Sequence, residues 1–401
     1  MSDLLQPQGL PRSEPTDEHL NVEEAVLNRY SAASRQAEPA LCCPVEYSPK
    51  FLAVLPRELI ERDYGCGDPS RFVETGDTVL DLGSGSGKIC YIASQIVGPE
   101  GRVIGVDMND DMLALARKHR DTIGQRIGWQ NVDFHKGRIQ DLKLDLHSFE
   151  AYLQQHPVQS SDDWLRAERY ATELRQQQPM IPDSSVDVVL SNCVLNLVTP
   201  SDRSQLFQEV FRVLRRGGRA VISDIVSDEP VPEPLKNDPE LWSGCISGAH
   251  VEDEFLAHFE QAGFYGIQIA DRPQKPWATI EGIEFRSLTV RAFKGKQGPC
   301  MDHHQAVIYR GPWNSVTDDD GHVLRRGART AVCEKTFRLY CRQPYAQDVI
   351  PVPPLETVSA EEAQPYDCHD NLVRSPRETK GQHFTKTSLP GGDCCGPTDC
   401  C

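Results

Sequence analysis

Three cysteines in this chain lie in sequence contexts that suggest chemistry. Cys193 follows the apolar stretch VDVVLSN, which predicts a buried strand that ends in a loop. Cys66 lies in DYGCGD and Cys245 in LWSGCISGAH, where glycine and serine flank the thiol. Such small neighbours cover a side chain poorly, so we expect these thiols to be exposed, although a lone cysteine is more often a buried packing residue. Thiolates are soft ligands, and three of them brought together would suit a thiophilic metalloid.

The composition limits the classes of protein to which the chain can belong. It has 401 residues, fourteen of them cysteines, and a formal net charge of −17. The length predicts two or three domains, and the acidity argues against nucleic-acid or anionic-membrane partners. No apolar stretch approaches the length of a membrane span, and the first thirty residues lack the features of a signal peptide. We therefore expect a cytoplasmic protein whose cysteines serve metal or redox chemistry, with a monomer as the default state.

Alternating strands and helices are predicted to position these thiols. From residue 76 the pattern is strand, glycine loop, helix, turn, strand, acid and helix. Short buried strands that alternate with amphipathic helices predict an α/β fold with a doubly wound parallel sheet. Ligands bind at the carboxyl edge of such sheets, so Cys193 is expected beside a bound ligand.

The glycine loop VLDLGSGSG indicates which ligand this is. Asp107 follows Gly87 by twenty residues, a spacing suited to holding both hydroxyls of a ribose. NAD is the obvious rival, but the G-x-G-x-G spacing differs, and Asp81 would repel a pyrophosphate while it could hold an ammonium group. A cofactor with an amine and a sulfonium but no phosphate fits better, which predicts S-adenosylmethionine. The cofactor-binding residues predicted at the strand ends are Asp81, Gly83, Ser84, Gly85, Gly87, Asp107, Met108 and Asn192.

The motifs together resemble the arsenite methyltransferases that use S-adenosylmethionine. The resemblance runs from about residue 40 to 340 and rests on YGCG, LDLGSGSGKICYIASQ, VDM, SNCVLNL and LWSGCISGA. Many methyltransferases share the glycine motif, whereas the combination of YGCG, SNCV and the later glycine-flanked cysteine is specific. The resemblance implies a Rossmann-like class I methyltransferase core, a mixed arsenic-binding domain and a small β-rich C-terminal module.

The resemblance also implies roles for the cysteines. Cys66, Cys193 and Cys245 would bind trivalent arsenic. One of Cys42 and Cys43 would supply an N-terminal thiol that pairs with Cys66 after turnover, and the doublet leaves open which one. Arsenic would arrive as a thiol conjugate, and thioredoxin or glutathione would reduce the oxidised thiols.

Three further residues acquire roles from the same resemblance. Tyr64 would lie against the sulfonium, where an aromatic face stabilises a cation. Ile139 and Gln140 in GRIQDL would flank the adenine. The expected function is methyl transfer from S-adenosylmethionine to arsenic held by thiolates. The alternatives are methylation of an organic small molecule and sequestration of metalloid without turnover.

Composition shifts predict the domain boundaries. We expect a flexible extension at 1–39, the methyltransferase domain at 40–230 with an insertion at 142–182, an arsenic-binding domain at 231–295, a β-rich module at 296–350 and a disordered, cysteine-containing tail at 351–401. The tail ends in GGDCCGPTDCC, which suits either an arm that captures arsenite or an inert segment. The cysteines and histidines at 300, 303, 304, 333 and 341 raise the question of zinc, but their spacing matches no standard zinc motif.

Overall fold

The structure is a computed structural model that describes residues 22–36, 38, 45–370 and 372–388. These residues divide into two compact units. The first unit runs to Ala262 and includes Ile267–Ala292, and the second comprises Gly263–Gly266 and the chain from Phe293 onward. The segments predicted as methyltransferase and arsenic-binding domains thus lie in one compact unit, and their functional division stays a prediction.

A nine-stranded sheet, counted over the described residues, forms the centre of the first unit. The strands are β1 (Thr78–Leu82), β2 (Arg102–Asp107), β3 (Val132–Lys136), β4 (Val186–Asn192), β5 (Leu214–Ser227), β6 (His250–Val251), β7 (Tyr265–Asp271), β8 (Ala278–Ile280) and β9 (Ile283–Phe293). Their order is β3-β2-β1-β4-β5-β9-β7, with β6 paired to β5 and β8 to β9. β1 to β5 pair in parallel, so the predicted doubly wound α/β fold is confirmed. The strand order reverses between β1 and β4, which is where such sheets open a ligand crevice.

Twelve helices belong to the first unit in the described part of the chain. They are α1 (Val22–Arg35), α2 (Pro49–Leu52), α3 (Arg57–Glu61), α4 (Lys88–Val97), α5 (Asp110–Lys118), α6 (Arg120–Ile127), α7 (Leu146–Gln155), α8 (Ser161–Gln177), α9 (Pro200–Val213), α10 (Glu233–Lys236), α11 (Pro239–Ser243) and α12 (Glu252–Gln261). Helix α4 follows the glycine loop directly, and its apolar residues pack into the main core with β1. None of the helices described in either unit is long and apolar enough to cross a membrane.

Hydrogen bonds hold helix α1 against other elements of the first unit. The Asn109 side chain donates to the Leu27 carbonyl at 3.2 Å and to the Ser31 hydroxyl at 3.0 Å. Arg29 donates to the Glu240 carbonyl at 2.6 Å, which ties α1 to α11. Over residues 22–36 the structure therefore differs from the flexible extension predicted for 1–39, because apolar and polar contacts hold the helix in place.

The insertion at 142–182 forms the helix pair α7 and α8. The rings of Tyr152 and Tyr170 stack between the two helices with centroids 4.0 Å apart. Leu144, Ala171 and Leu174 are buried beneath them. The insertion thus has its own small apolar cluster.

The second unit is built from short strands and two helices. They are β10 (Met301–Asp302), β11 (Ala306–Tyr309), β12 (Ser315–Thr317), β13 (Val323–Arg325), β14 (Arg329–Ala331), α13 (Glu334–Tyr340), β15 (Val349–Val352), β16 (Gln364–Pro365) and α14 (Pro376–Lys380). β12 and β13 form an antiparallel hairpin around the DDDG turn. Over 351–370 and 372–388 the structure differs from the disorder predicted for 351–401, because the backbone pairs in β16 and the buried Arg374 forms an ion pair with the half-buried Asp302 at 2.8 Å. The four tail cysteines lie outside the described residues.

Candidate functional site

A cleft opens at the carboxyl ends of β1, β2 and β4. Its empty volume, which includes the open mouth, is about 1050 Å³. The predicted cofactor-binding residues that line it are Asp81, Gly83, Ser84, Gly85, Asp107, Met108, Ile139, Gln140 and Asn192. Gly87 does not line the cleft. It precedes α4 with φ +85°, and a Cβ there would lie 2.8 Å from the Phe134 ring.

Asp107 holds the glycine loop in its left-handed conformation. Its carboxylate accepts the N–H of Gly85 at 2.8 Å and the N–H of Asn109 at 2.8 Å. Gly85 has φ +50°, and an added Cβ would meet no atom within 4 Å, so this face of the loop is open to the cleft. Burial raises the pKa of Asp107. Ligand hydroxyls that donate to its carboxylate would therefore stabilise the ionised form.

Asp81 is a buried carboxyl beside this loop. Burial raises its pKa to about 7, and the Cys90 thiol donates to it at 3.2 Å. A cationic ligand group would stabilise its ionised form. Lys88, the first residue after the glycine loop, forms a buried ion pair with Asp63 at 2.6 Å, so its charge is already neutralised within the protein.

These groups fit S-adenosylmethionine. The hydroxyl of Ser84 is buried in the cleft and has no hydrogen-bond partner among the described residues. Together with the carboxylates of Asp81 and Asp107 it offers partners for an amine and for hydroxyls. The two carboxylates thus suit a cationic nucleoside.

The three predicted arsenic ligands lie together at one end of this cleft. Cys66 and Cys193 are joined as a disulfide with their Cα atoms 5.8 Å apart. The sulfurs of Cys193 and Cys245 lie within 4.8 Å of each other and of a carboxylate oxygen of Asp224. Cys193 lines the cleft itself. Cys42 and Cys43, predicted to supply a further thiol, lie outside the described residues.

The glycines around Cys66 serve close packing, and the exposure expected for Cys66 and Cys245 is wrong. Cys66, Cys193 and Cys245 are 4%, 8% and 5% exposed. A Cβ on Gly67 would lie 2.5 Å from the Ser223 hydroxyl, and one on Gly65 would overlap the Asn192 amide. Glycine therefore brings the Cys66 backbone onto the ends of the central strands.

Side-chain hydrogen bonds of Asn192 hold the backbone of Cys66 and Gly67 in place. Its side-chain oxygen accepts the N–H of Cys66 at 2.9 Å and of Gly67 at 3.1 Å, while its amide donates to the Gly67 carbonyl at 2.8 Å. The residue was predicted to bind cofactor, and it does line the cleft. Its hydrogen bonds show in addition that it positions a thiol.

Sequence reasoning missed Asp224, which supports the loop after Cys193. The buried carboxylate accepts the N–H groups of Val194 at 3.2 Å, Leu195 at 2.8 Å and Ile225 at 2.8 Å. Burial raises its pKa to about 6. The signal was an acid inside the apolar run ISDIV. The loop needs such support, because Cys193 adopts a positive φ angle of 59°. Cys245, in a different segment, also has a positive φ angle, 64°.

Sequence reasoning also missed Tyr30 on α1, whereas Tyr64 was predicted. Both line the cleft, and their rings meet edge to face with centroids 6.1 Å apart. The Tyr64 hydroxyl donates to the Ala33 carbonyl at 3.0 Å, and the Tyr30 side chain hydrogen-bonds Cys245. The spacing of Val26, Tyr30 and Ala33 on one helix face was the signal that could have revealed α1.

Comparison with known proteins agrees with this architecture. Residues 74–263 match a methyltransferase domain, and residues 296–384 match a domain of unknown function (DUF8838). An arsenite methyltransferase from Aquipseudomonas alcaligenes is 32% identical over 338 residues, which cover 79% of this chain and 87% of that protein. One from Mus musculus is 29% identical over 364 residues and covers 86% of each.

A solved structure extends the agreement to three dimensions. The arsenic (III) S-adenosylmethionine methyltransferase from Chlamydomonas reinhardtii superimposes with a TM-score of 0.52 and 26% identity, over 81% of this chain and 100% of that one. The predicted class I methyltransferase fold is thereby confirmed, and so is the resemblance from which the family was predicted. On these grounds the chain belongs to the arsenite methyltransferase family.

Proposed function

We propose that the protein transfers a methyl group from S-adenosylmethionine to trivalent arsenic bound by Cys66, Cys193 and Cys245. The observation that carries the proposal is the convergence of these three thiols at the end of a cleft whose other residues suit that methyl donor. The names of the relatives, arsenite methyltransferases from bacteria and mammals, support the same substrate.

The residues of the cleft would hold and orient the methyl donor. S-Adenosylmethionine supplies, when bound, an electrophilic methyl group on a cationic sulfur. The carboxylate of Asp81 would bind its amine, and Asp107 would bind the ribose hydroxyls. The Tyr64 ring would lie against the positive charge. Ile139 and Gln140 line the cleft and would flank the adenine.

The thiol site would hold arsenic as a nucleophile. Three As–S bonds leave the trivalent arsenic its lone pair, and the lone pair forms the new As–C bond without a general base. Burial of the three cysteines keeps water away from that centre. Because Asp224 and Asn192 fix the backbone that carries Cys193 and Cys66, the thiols are positioned before arsenic binds.

Methyl transfer formally oxidises arsenic to the pentavalent state, and the thiols can restore it. Two thiolate ligands leave as a disulfide, and their two electrons return to arsenic, which again becomes trivalent with the methyl group attached. The disulfide between Cys66 and Cys193 supports this pair as the electron source. The family resemblance points instead to Cys66 with Cys42 or Cys43. A thiol reductant such as thioredoxin or glutathione would then reopen the bond.

The proposal is tested by incubating the full chain with arsenite, S-adenosylmethionine and a thiol, and by separating arsenic species with elemental detection. We expect methylated arsenic from the wild type and none from Cys193→Ser. Cys341→Ser, an exposed cysteine of the second unit, is the matched control and should retain the wild-type rate. Methylation that persists in both Cys193→Ser and Cys245→Ser would refute the assigned thiol site.

Non-reducing peptide mapping after a single turnover decides between the two disulfides. We expect a cross-linked peptide that joins Cys66 and Cys193. A cross-link from Cys66 to Cys42 or Cys43 would assign the electrons to the N-terminal pair instead. The cytoplasmic setting and the monomeric state stay predictions from the sequence.

A further inference from the structure

A second group of three thiols lies in the second unit, which matches the domain of unknown function. The sulfurs of Cys300, Cys333 and Cys368 all lie within 4.8 Å of one another. None of the three forms a disulfide with another described residue. They come from distant parts of the sequence, so their convergence is a product of folding and has no local motif.

Tyr366 ties together the segments that carry these cysteines. Its backbone N–H donates to the Cys300 carbonyl at 2.9 Å, and its hydroxyl donates to the Ala331 carbonyl at 2.8 Å. The antiparallel pairing of Met301 with Pro365 adds a second link on the same side. Tyr366, two positions before Cys368, therefore contacts the backbone of Cys300 and the backbone two residues before Cys333.

Side chains hold the remaining backbone around the group. The amide of Gln305 is buried and donates to the Val332 carbonyl at 2.6 Å, directly before Cys333. The Thr336 N–H points at the Cys333 sulfur at 3.4 Å, which orients that thiol. Cys333 is fully buried, whereas Cys300 and Cys368 are half-buried and give access from the surface.

The number of donors indicates the kind of ion. The group contains three sulfurs, and no fourth His, Cys, Asp or Glu donor among the described residues joins it. His303, three residues after Cys300, has its Nδ1 3.0 Å from the Val358 carbonyl and its Nε2 3.8 Å from a Glu334 carboxylate oxygen, so both ring nitrogens have other partners. Structural zinc sites take four protein ligands, whereas trivalent arsenic takes three thiolates and keeps a lone pair.

We propose that Cys300, Cys333 and Cys368 bind one trivalent arsenic as three thiolates. Binding converts arsenous acid and three thiols into three As–S bonds and three molecules of water, and arsenic remains trivalent, so no reductant is consumed. The choice of arsenic rests on the proposed function, which makes arsenite the substrate of this protein. The site itself belongs to the second unit, whereas the methyl-donor cleft belongs to the first. Its three cysteines are not those assigned to methyl transfer.

The experiment counts arsenic per chain. The full-length protein is reduced with a phosphine, titrated with arsenite without S-adenosylmethionine, desalted and analysed by elemental mass spectrometry. We expect Cys300→Ser, Cys333→Ser and Cys368→Ser each to bind one arsenic fewer than the wild type. Cys341→Ser, which removes an exposed thiol of the same unit, should bind as much as the wild type.

Two outcomes overturn the proposal. If Cys368→Ser binds as much arsenic as the wild type, three-thiolate coordination is wrong. If the protein copurifies with one zinc that these substitutions remove, the ion is zinc and not arsenic. Should Cys333→Ser fail to fold, the half-buried Cys300 and Cys368 still carry the test. A difference of one arsenic in a protein that fails to methylate arsenite would overturn the proposed function and leave this site standing.

Discussion

The side-chain oxygen of Asn192 accepts the backbone N–H of Cys66 at 2.9 Å. Asn192 ends β4, and the next residue in the chain is Cys193. One amide therefore fixes the distance between two thiols that lie more than a hundred residues apart in sequence. We expect this contact to matter for catalysis as much as for folding.

Replacement of Asn192 by alanine should reduce methylation strongly. The buried N–H groups of Cys66 and Gly67 would lose their acceptor, which costs about 1–3 kcal/mol of stability. A thiol displaced by about 1 Å can cost on the order of a hundredfold in rate. Arsenic methylation and thermal unfolding of Asn192→Ala measure the two effects.

The control for that variant is Asn131→Ala. Asn131 also holds backbone, through donors to the carbonyls of Gly98 and Gly101 at 2.8 and 2.9 Å, but it does not line the cleft. It should lose comparable stability and keep the wild-type rate. Equal rates in both variants would show that Asn192 has a structural role alone.

The affinity for S-adenosylmethionine should rise with pH through about 7. Burial raises the pKa of Asp81 to about 7, and only its ionised form can pair with the amine of the ligand. Binding at pH 6 should therefore be about tenfold weaker than at pH 8, since the ionised fraction changes by that factor. Calorimetric titration across this range measures the effect, and Asp81→Asn should bind weakly with no such pH dependence.

The same raised pKa predicts a change in stability with a definite sign. The folded chain holds the Asp81 proton more tightly than the unfolded chain, so this group favours folding at acidic pH. That contribution is lost as the pH rises from about 4 to about 7. The melting temperature of Asp81→Asn relative to wild type should accordingly increase over this window. A constant difference would show that Asp81 titrates normally.

Arg29→Ala should loosen α1 from α11 and weaken cofactor binding several-fold. Arg29 donates to the Glu240 carbonyl at 2.6 Å and to the Ser243 hydroxyl at 2.9 Å, and Tyr30 beside it lines the cleft. Limited proteolysis should cut α1 faster in this variant. Arg35→Ala is the control, because Arg35 is 74% exposed and its ion pair is solvated. Identical proteolysis of the two variants would contradict the docking role.

Lys88→Met should destabilise the protein by about 3–5 kcal/mol, because it leaves the Asp63 carboxylate buried without its cation. Lys118→Met removes a 60% exposed lysine that pairs with Glu58, and it should cost less than about 1 kcal/mol. Denaturant unfolding of both variants measures the difference. Equal costs would mean that Lys88 is solvated in the folded protein.

The features predicted correctly from the sequence are the local ones. The glycine loop, its spacing to Asp107 and the apolar strands are set by neighbouring residues, and they predicted the fold and the cofactor, while the short cysteine motifs YGCG, SNCV and SGCISG indicated the family. The cleft then brings Asp81, Asp107 and Asn192 to the same sheet edge, as parallel strands require.

Features that depend on distant contacts were not predicted. The burial of Cys66 arises because glycine lets the backbone approach Asn192 and Ser223, a contact no spacing encodes. Tyr30 reaches the cleft only because α1 packs against α11, which lies 211 residues later in the sequence at the Arg29–Glu240 contact. The zinc question raised from the sequence likewise grouped Cys341 with Cys300, Cys333 and two histidines, but the structure exposes Cys341 and brings Cys368 to Cys300 and Cys333 instead.

The backbone angles of the site cysteines have a consequence for protein engineering. Two of the five non-glycine residues with positive φ in the described chain are Cys193 and Cys245. An L-residue in this conformation is disfavoured by roughly 1–2 kcal/mol, and glycine is not. A library selected for thermostability in the absence of arsenic would therefore drift toward glycine at both positions. Under the proposed function each such replacement removes an arsenic ligand, so any stabilised version of this protein has to be selected with arsenite methylation as a second requirement.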